Sequence, residues 1–460
     1  MTQLPAPMAL SGVERGGRAS GLLTRASLRR HAGVLIATAC VVTSMPGLGA
    51  EEFTFDVEKF EARPFVLRGY AEVEPNYAQS NQDGALYQLQ FFDEEPRDSI
   101  FRLPAVLELV GRYRQDITTL SFRTHTSKTW DYTDESGETL LYEGLLNLQP
   151  DPGFSFDMGK KAYRWGTGYA WNPVAFVERA KDAGNPDLAR EGYWIAGFDY
   201  IKTFGGRLKT VALTPLVLPN RDSINNDFGK EGFTNYAAKL YLLYQNTDID
   251  FMFLSEGSKT ARYGMDFASN ITTNFAVHGE LAYLTDVSLL NITPDCKFTR
   301  EAPDDKISSL LGLRYRTEHD VTWITEYYYN GAGNREQDQR QFYECVHRAW
   351  DAGDSDLLAG LPLDEVLDKG PFTKPNPMRQ YFHLRAWWRE PYNILYFTPG
   401  FQVLYNLLDN SYSVSPELNY EGINNLDLRL RLIVPVGDEL TEWGEKPNIY
   451  KLEFRVRYYF

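Results

Sequence analysis

Basic and apolar side chains alternate over residues 378–390. Because alternate side chains of an extended chain point to opposite faces, this pattern predicts a strand with one basic face and one apolar face. The basic side chains of that strand are Arg379, His383, Arg385 and Arg389. A row of fixed cations beside water attracts anionic solutes, so the chemistry that this stretch suggests is electrostatic selection.

Charged side chains of other alternating segments fall on the same face. The basic ones are Arg314, Arg316, Arg429, Arg431, Arg455 and Arg457, and the acidic ones include Glu326. Two interpretations are open. Mixed charges can simply pair across neighbouring strands on a water-facing surface. Alternatively, a basic wall in a chain whose formal charge is −15 can favour anionic solutes.

Sequence patterns that mark catalysis are absent from the chain. It has six histidines, no Gly-x-Ser-x-Gly and no His-Glu-x-x-His. The Gly-Thr-Gly at residues 166–168 lacks the spacing of a dinucleotide fingerprint. We therefore expect no enzymatic activity, no cofactor and no bound metal. The excess of 62 acidic over 47 basic residues also argues against a nucleic-acid partner.

The alternation is clearest in residues 450–460, at the end of the chain. Aromatic and aliphatic side chains occupy every second position up to Phe460, and the positions between them are mostly charged. One face therefore suits lipid and the other suits water. The ending Tyr458-Tyr459-Phe460 resembles the closing strand of bacterial outer-membrane β-barrels of the porin type. This resemblance implies an all-β transmembrane barrel in the outer membrane, whose terminal Phe460 is recognised by the barrel-insertion machinery.

The first 50 residues have the form of a secretory signal peptide, as export to the outer membrane requires. Three arginines precede an apolar run over residues 32–42, and small residues follow up to Ala50. The apolar run is well short of the ~20 residues that a membrane-spanning helix needs. We expect cleavage near Ala50, a short periplasmic lead-in at residues 51–64, and a barrel formed by residues 65–460.

Downstream of the lead-in, alternating segments are joined by short turns rich in Gly, Pro, Asn and Asp. The turns lie at residues 115–116, 150–153, 205–206, 246–248, 270–274, 318–320, 390–393 and 422–425. These eight hairpins, with an opening strand at 65–73 and a closing strand at 446–460, predict an antiparallel barrel of about 18 strands. The alternative is 16 strands, if one weak hairpin is misread. Counting residues 85–92 as a strand would make the number of strands odd. We therefore assign them to the first long loop, although their side-chain pattern resembles a strand.

Long polar loops separate the hairpins on the opposite side of the barrel, an asymmetry typical of outer-membrane barrels. The longest segments are 164–189, 287–305 and 332–377. The first belongs to the third outward loop, which in general porins folds into the barrel, so the resemblance implies that 164–189 narrows the lumen. The candidate constriction residues are Arg164, Trp165, Glu178, Arg179 and Lys181. A loop that only packs on the rim is the alternative. Apolar residues at helical spacing predict one or two short helices within 332–377.

Two cysteines follow the expected cleavage point. Cys296 and Cys345 each fall in a long loop, where an oxidising compartment would permit a disulfide. The spacing alone does not show whether the two loops meet, so a disulfide and two free thiols are both open.

The function expected from these features is a porin-like outer-membrane channel for small hydrophilic solutes, with anionic solutes favoured by an Arg-rich lumen. Two alternatives are open. The basic lumen and strand count are weakly similar to alginate-export-type barrels, which would imply export of an anionic polysaccharide. A structural barrel plugged by its own loops is the other. The expected partners are outer-membrane lipid and lipopolysaccharide, and a homo-oligomer is open.

Overall fold

A computed structural model of the chain describes residues 64–131, 135–354 and 370–460. The predicted signal peptide and almost all of the lead-in lie outside the described residues. Nineteen strands form one antiparallel sheet that closes on itself. They are β1 (Phe65–Val73), β2 (Asn76–Ser80), β3 (Ser99–Gln115), β4 (Thr118–Trp130), β5 (Glu135–Asp151), β6 (Phe154–Lys161), β7 (Tyr193–Thr203), β8 (Leu208–Asn220), β9 (Phe233–Tyr244), β10 (Thr247–Leu254), β11 (Arg262–Asn270), β12 (Phe275–Val287), β15 (Asp304–Arg316), β16 (Val321–Tyr329), β17 (Gln380–Trp388), β18 (Phe397–Asn406), β19 (Tyr412–Ile423), β20 (Leu426–Val436) and β21 (Asn448–Tyr459).

Strands β1 and β2 are two parts of one barrel strand, because both pair with β3 on one side and with β21 on the other. Glu74 and Pro75 interrupt it. The Glu74 N–H still donates to the Pro104 carbonyl at 2.9 Å, and the Pro75 carbonyl accepts from the Phe454 N–H at 3.1 Å. The chain is therefore a closed antiparallel barrel of 18 strands, which confirms the predicted fold class and strand number.

The barrel closes at the end of the chain. The Gly69 and Phe460 backbones exchange two N–H to carbonyl hydrogen bonds of 3.0 Å each. Gly69 is required here, because a Cβ at this position would lie 2.8 Å from Cζ of the Phe460 ring and 2.5 Å from the Glu108 carbonyl oxygen. The C-terminal aromatic residue thus packs against the first strand of the barrel.

All eight predicted hairpins are present, and their turns lie at the rim that also holds Phe65 and Phe460. The wall has two distinct faces. On β21, Leu452, Phe454 and Tyr458 are about 40% exposed on the outside, whereas Glu453 is 7% exposed on the inside. A basic residue forced onto the outer face would cost ~2–4 kcal/mol at mid-membrane depth, so the alternation fixes the register of these strands.

The long loops at the opposite rim build a separate cap. It consists of helix α1 (Ala85–Gln90), the hairpin β13 (Leu290–Ile292) and β14 (Phe298–Arg300), helix α2 (Glu336–Ala352) and the connector 437–447. The cap has its own core, in which Phe342, Val346 and Ala349 of α2 are fully buried. Cys296 and Cys345 form a disulfide within this core, with their Cα atoms 5.6 Å apart.

Residues 85–92 thus lie outside the barrel wall, as predicted, although they include a helix instead of irregular loop. The helix predicted within 332–377 is α2, and residues 355–369 of that segment lie outside the described residues. In the part of the chain that the structure describes, no helix has the length and apolar character needed to cross a membrane.

Candidate functional site

The third outward loop, residues 162–192, folds into the barrel. Its first half carries apolar side chains that pack on the inner faces of β7 to β12. Trp165, Val174 and Phe176 are each 0–1% exposed in this cluster. Gly264 on β11 makes the approach possible, because a Cβ there would lie 3.0 Å from both the Phe176 ring and the Val174 side chain. Apolar burial therefore holds this half of the loop against one side of the lumen.

A single carboxylate on β12 binds the backbone of the same loop half. Glu280 accepts hydrogen bonds from the Thr167 and Gly168 N–H groups, each at 2.6 Å, and from the Val174 N–H at 3.3 Å. The Asn172 side-chain amide donates a further hydrogen bond of 3.2 Å. The chain can wrap around the carboxylate because Gly166 adopts a φ of +91°, which a residue with a Cβ rarely reaches.

Glu326 on β16 performs the same task for the next residues of the loop. Its two oxygens accept the Tyr169 N–H and the Ala170 N–H, the latter at 2.8 Å. It also contacts Nε2 of His278 at 2.7 Å. Gly312 on β15 lies between His278 on β12 and Glu326 on β16. A Cβ at Gly312 would come within 2.2 Å of His278 Nε2. The absence of a side chain at this wall position therefore allows the His278–Glu326 contact.

The loop also inserts Trp171 into an aromatic pocket on the wall. Its ring centroid lies 5.1 Å from Tyr328, 5.7 Å from Tyr381 and 6.0 Å from His383. Tyr169 stacks on the other side of His383 at 5.8 Å. His383 is consequently 0% exposed. We call the inner faces of β9 to β12 and β15 to β17, which lie beneath this half of the loop, the covered arc.

The far end of the loop reaches across the lumen to other strands. The Gln402 amide on β18 donates to the Ala183 carbonyl at 3.0 Å, and Arg431 on β20 donates to the Gly184 carbonyl. Arg385 forms an ion pair with Asp187 at 3.2 Å. The loop is thus attached to the wall at both ends and divides the lumen.

Beyond the loop, the inner faces of β1, β20 and β21 carry paired charges, and we call this surface the open arc. Arg429 pairs with Glu74 at 2.9 Å, Arg455 with Asp427 at 3.0 Å, Arg457 with Glu72 at 2.5 Å and Lys451 with Glu453 at 2.8 Å. Arg431 is 4.0 Å from Glu453. A cavity of about 390 Å³ runs between these residues and the loop, so the open arc borders space that water can fill.

Two more polar cavities adjoin the loop. One of about 280 Å³ lies beside Arg123, Glu143 and Arg164, and one of about 480 Å³ lies on the side of His278 and Arg314. Pro186 and Asp187 line both of these cavities, and Leu188 lines the first of them together with the 390 Å³ cavity. Residues 186–188 therefore stand where the three cavities come closest together. We call residues 186–188 the loop tip.

The predicted constriction residues have different roles in this arrangement. Trp165 is buried and anchors the loop, and its backbone N–H donates to the Glu178 carboxylate. Glu178 in turn pairs with Arg190 at 2.9 Å. Arg179 pairs with Glu191 at 2.8 Å and with Asp227. The remaining two differ: Lys181 donates to the Gly168 carbonyl at 2.6 Å, whereas Arg164 is exposed to the 280 Å³ cavity. All five residues line the 280 Å³ cavity, where Arg164 is exposed and the other four are buried or half-buried.

Several predicted lumen residues lie elsewhere than expected. Strand β17 ends at Gln380 and Trp388, so Arg379 and Arg389 lie just beyond it. Arg379 donates to the Gly333 carbonyl of the outer loop at 3.0 Å, and Arg389 is exposed beside the periplasmic turn. Arg316 pairs with Asp320 at that same rim. His383 and Glu326 are on the inner face but are 0% and 1% exposed, because the loop covers them. Neither can meet a solute.

Arg314, Arg385, Arg429, Arg431, Arg455 and Arg457 do line one of the cavities or pair with residues that line one. Sequence reasoning missed the role of Glu280 as a loop anchor. The alternation along β12 places Glu280 on the inner face of the barrel. No local sequence signal, however, separates a carboxylate that binds a loop from one that faces water. Among the described residues, no group of three or more His, Cys, Asp or Glu side chains is arranged to hold a metal ion.

Two buried carboxylates of the connector 437–447 hold the cap in place, Glu442 by contacts with the barrel wall and Glu445 by contacts within the cap. Glu442 accepts hydrogen bonds from the Tyr381 hydroxyl at 2.7 Å and from the Asn406 amide at 2.8 Å. Glu445 accepts the Ala85 N–H of α1 at 2.5 Å and the Leu440 N–H at 2.6 Å. His347 of α2 contacts Glu445 at 3.2 Å, and its other ring nitrogen contacts Gln88 at 2.8 Å.

These contacts shift the ionisation of the cap. The hydrogen bond to Glu445 raises the pKa of His347 above its usual value, against the opposing effect of burial. Burial alone would raise the pKa of Glu445. The hydrogen bonds from His347 and from the Ala85 and Leu440 N–H groups outweigh it, so that pKa is lowered. Both shifts favour a charged pair between the helix and the connector.

No family model matches the chain, and no curated protein sequence matches it. Some solved structures are similar in form. The chain is similar to OccK11 (OpdR) of Pseudomonas aeruginosa, with 9% identity and a TM-score of 0.46 over 86% of this chain and 96% of that one. It is similar to OccAB2 of Acinetobacter baumannii, with 10% identity and a TM-score of 0.44 over 85% and 98%. A mutant of the Rh. blastica porin has 10% identity and a TM-score of 0.43 over 86% and 100%.

Proposed function

We propose that this protein is an outer-membrane channel for small hydrophilic solutes. The observation that carries the proposal is the set of three polar cavities that adjoin one loop tip inside a closed barrel. A polar interior surrounded by an apolar outer wall is the arrangement by which barrels conduct solutes across lipid. Cavities of about 280 to 480 Å³ suit single small solutes better than a polymer, so small solutes are favoured over polysaccharide export.

We further propose a modest preference for anionic solutes. The covered arc holds Asp250, Asp266, Glu280 and Glu326, each of them buried at 7% exposure or less. The loop covers Glu280 and Glu326, and Asp250 and Asp266 are buried on β10 and β11, so these four carboxylates are not exposed to the passage. The ion pairs of the open arc join five basic residues to four acidic ones, Glu72, Glu74, Asp427 and Glu453, a surplus of one positive charge among them (5 − 4 = 1). Arginines that remain beside water then set the sign of the field that a solute meets.

Single-channel recording in planar bilayers tests both parts. An open, salt-dependent current is expected from the purified protein, and a reversal potential in a KCl gradient should indicate preference for chloride. Arg429→Gln together with Arg455→Gln should shift that potential towards potassium, because the open arc loses two charges. The matched control is Arg316→Gln, whose partner Asp320 lies in a periplasmic turn. Cation preference in the unaltered protein would refute the proposed selectivity.

A second candidate function is a barrel closed by its own loops, which acts as a structural element of the outer membrane. The cap favours it, because Glu442 and Glu445 attach the connector 437–447 to both the wall and the helices. The same recording separates the two candidates. A barrel that inserts and carries no current, even after reduction of the Cys296–Cys345 disulfide, would support the structural function.

A further inference from the structure

The turn between β17 and β18, residues 389–396, differs from the other turns at the same rim. It presents four large apolar side chains to the outside: Tyr392 at 83%, Leu395 at 62%, Tyr396 at 56% and Ile394 at 51% exposure. Each of the other seven turns of that rim presents at most one exposed large apolar residue, and the four such residues are Ile117, Phe204, Ile271 and Ile423. Residues 391–396 also contain no charged side chain. Such a surface is unfavourable in water.

Several backbone N–H groups of this turn donate hydrogen bonds to acceptors within the turn itself. The Asn393 N–H donates to the Glu390 carbonyl at 3.1 Å, and the Ile394 N–H donates to the Pro391 carbonyl at 3.0 Å. The Tyr396 N–H donates to the Glu390 carboxylate at 2.9 Å. Pro391 has no N–H to satisfy. A segment that leaves bulk water must bind its own polar backbone groups, and this turn meets much of that requirement.

The conformation of the turn is unusual for its residues. Tyr392 and Tyr396 have φ values of 55° and 62°, in the left-handed region that bulky side chains rarely adopt. The compact fold of the turn holds both residues there, with the Glu390 carboxylate bound to one end. Strain of this kind persists where the surroundings impose it and is frequent at functional surfaces.

The turn is continuous with the lipid-facing wall. Trp388, the last residue of β17, has the outward parity shared by Phe382 and Leu384. The Tyr392 ring packs on Trp388 with a centroid distance of 5.2 Å. Tyrosine and tryptophan prefer the boundary between headgroups and acyl chains, because each has an apolar ring and a polar tip. The apolar outer wall therefore extends past the end of the strand onto the turn.

We propose that residues 391–396 form a membrane-inserted turn, which binds phospholipid at the headgroup boundary of the periplasmic leaflet. The internal hydrogen bonds and the contact with Trp388 favour lipid over a periplasmic protein as the occupant. The inference goes beyond solute passage and does not depend on whether the barrel conducts. It does depend on placement of the barrel across a bilayer.

Spin-label accessibility in phospholipid nanodiscs tests the proposal. Leu395→Cys and, separately, Ile394→Cys are labelled in a chain with Cys40→Ser, with the Cys296–Cys345 disulfide left intact. Gly206→Cys in the β7–β8 turn is the water reference, since nothing lies within 4 Å of a Cβ added there. Leu311→Cys, at 62% exposure on the outer face of β15, is the lipid reference. Each label is probed by relaxation with oxygen, which concentrates in lipid, and with a water-soluble nickel chelate.

Labels at residues 394 and 395 are expected to match the lipid reference, with a nickel-to-oxygen ratio several-fold below that at residue 206. Ratios equal to that at residue 206 would overturn the proposal and indicate a water-exposed surface that is free for a protein partner. A lipid reference that is itself open to nickel would overturn the bilayer placement, and with it both this inference and the proposed channel.

Discussion

The covered arc and the open arc of the lumen both carry inward-facing carboxylates, but the carboxylates have different partners in the two arcs. In the covered arc, Glu280 and Glu326 accept backbone N–H groups of the inward loop. In the open arc, Glu72 and Glu74 accept arginine side chains of neighbouring strands. Backbone donors fix the position of a loop and remove the carboxylate from water. Arginine partners, in contrast, form ion pairs with the carboxylates, and these pairs remain beside the 390 Å³ cavity. What lies across the lumen thus decides whether an inward carboxylate positions a loop or lines a passage.

Removal of Glu280 should break the covered arc and give the largest effect. Glu280→Ala leaves three backbone N–H groups and the Asn172 amide without their acceptor. Each unsatisfied buried donor costs about 1–3 kcal/mol, so docking of the loop should lose on the order of 5 kcal/mol. Limited proteolysis of the folded barrel should then cut within residues 162–192, and single-channel conductance should rise several-fold.

Glu72→Ala is the matched control in the open arc, because it removes a carboxylate that contacts arginines and no loop backbone. It should leave residues 162–192 protected and conductance close to that of the unaltered protein. Equal cleavage in both variants would contradict the distinction between the arcs.

The aromatic anchor of the covered arc should give the next largest effect. Trp171→Ala empties the pocket formed by Tyr328, Tyr381 and His383 and should weaken docking of the loop by about 3 kcal/mol. Hydrogen exchange at the amides of residues 167–175 should accelerate accordingly. Trp194→Ala removes a 40% exposed tryptophan from β7 and should leave those rates unchanged. Protection that survives Trp171→Ala would show that Glu280 and Glu326 suffice to hold the loop.

Predictability from the sequence differs between the two arcs for a physical reason. Whether a side chain points into the barrel depends only on the alternation along its own strand. The strand count, the turns and the inward position of the arginines on β20 and β21 could therefore be predicted. The contact between Gly168 and Glu280 joins residues 112 positions apart and depends on how the loop crosses the barrel. That crossing also covers His383, which parity alone assigned to the lumen wall.

Residues 85–92 show a second limit of alternation. Their side chains resemble a strand pattern, yet Tyr87 and Phe91 stack at 4.4 Å with the spacing of four residues that marks a helix. Parity of the barrel excluded the segment from the wall, but only the shared core with α2 makes it helical. A scan for the four-residue spacing would have suggested the helix.

A substitution in the loop tip should test the passage beside the open arc, and its expected effect on ion permeability is smaller. Asp187 is the acidic residue of residues 186–188, and its partner Arg385 also pairs with Glu417 at 2.9 Å. Asp187→Asn should raise the chloride-to-potassium permeability ratio by about twofold, since one charge next to water changes the energy of a passing ion by less than about 1 kcal/mol. Asp151→Asn, in a periplasmic turn, is the control and should have no effect. A shift towards potassium would place the conducting path elsewhere in the lumen.

The cap extends the comparison, because the carboxylate Glu445 within it is bound by a titratable donor, His347, where the covered arc uses backbone N–H groups. The raised pKa of His347 contributes stability that is complete below about pH 6.5 and is lost as pH rises through the folded-state value. The lowered pKa of Glu445 contributes stability above about pH 4.5 that is lost as pH falls through its folded-state value. The contact between α2 and the connector 437–447 should therefore be firmest between about pH 4.5 and 6.5 and weaker at pH 9. Hydrogen exchange in α2 should accelerate from pH 6 to pH 9 by more than the intrinsic exchange rate, and His347→Gln should remove this excess. An excess that persists in His347→Gln would assign the pH dependence to another group.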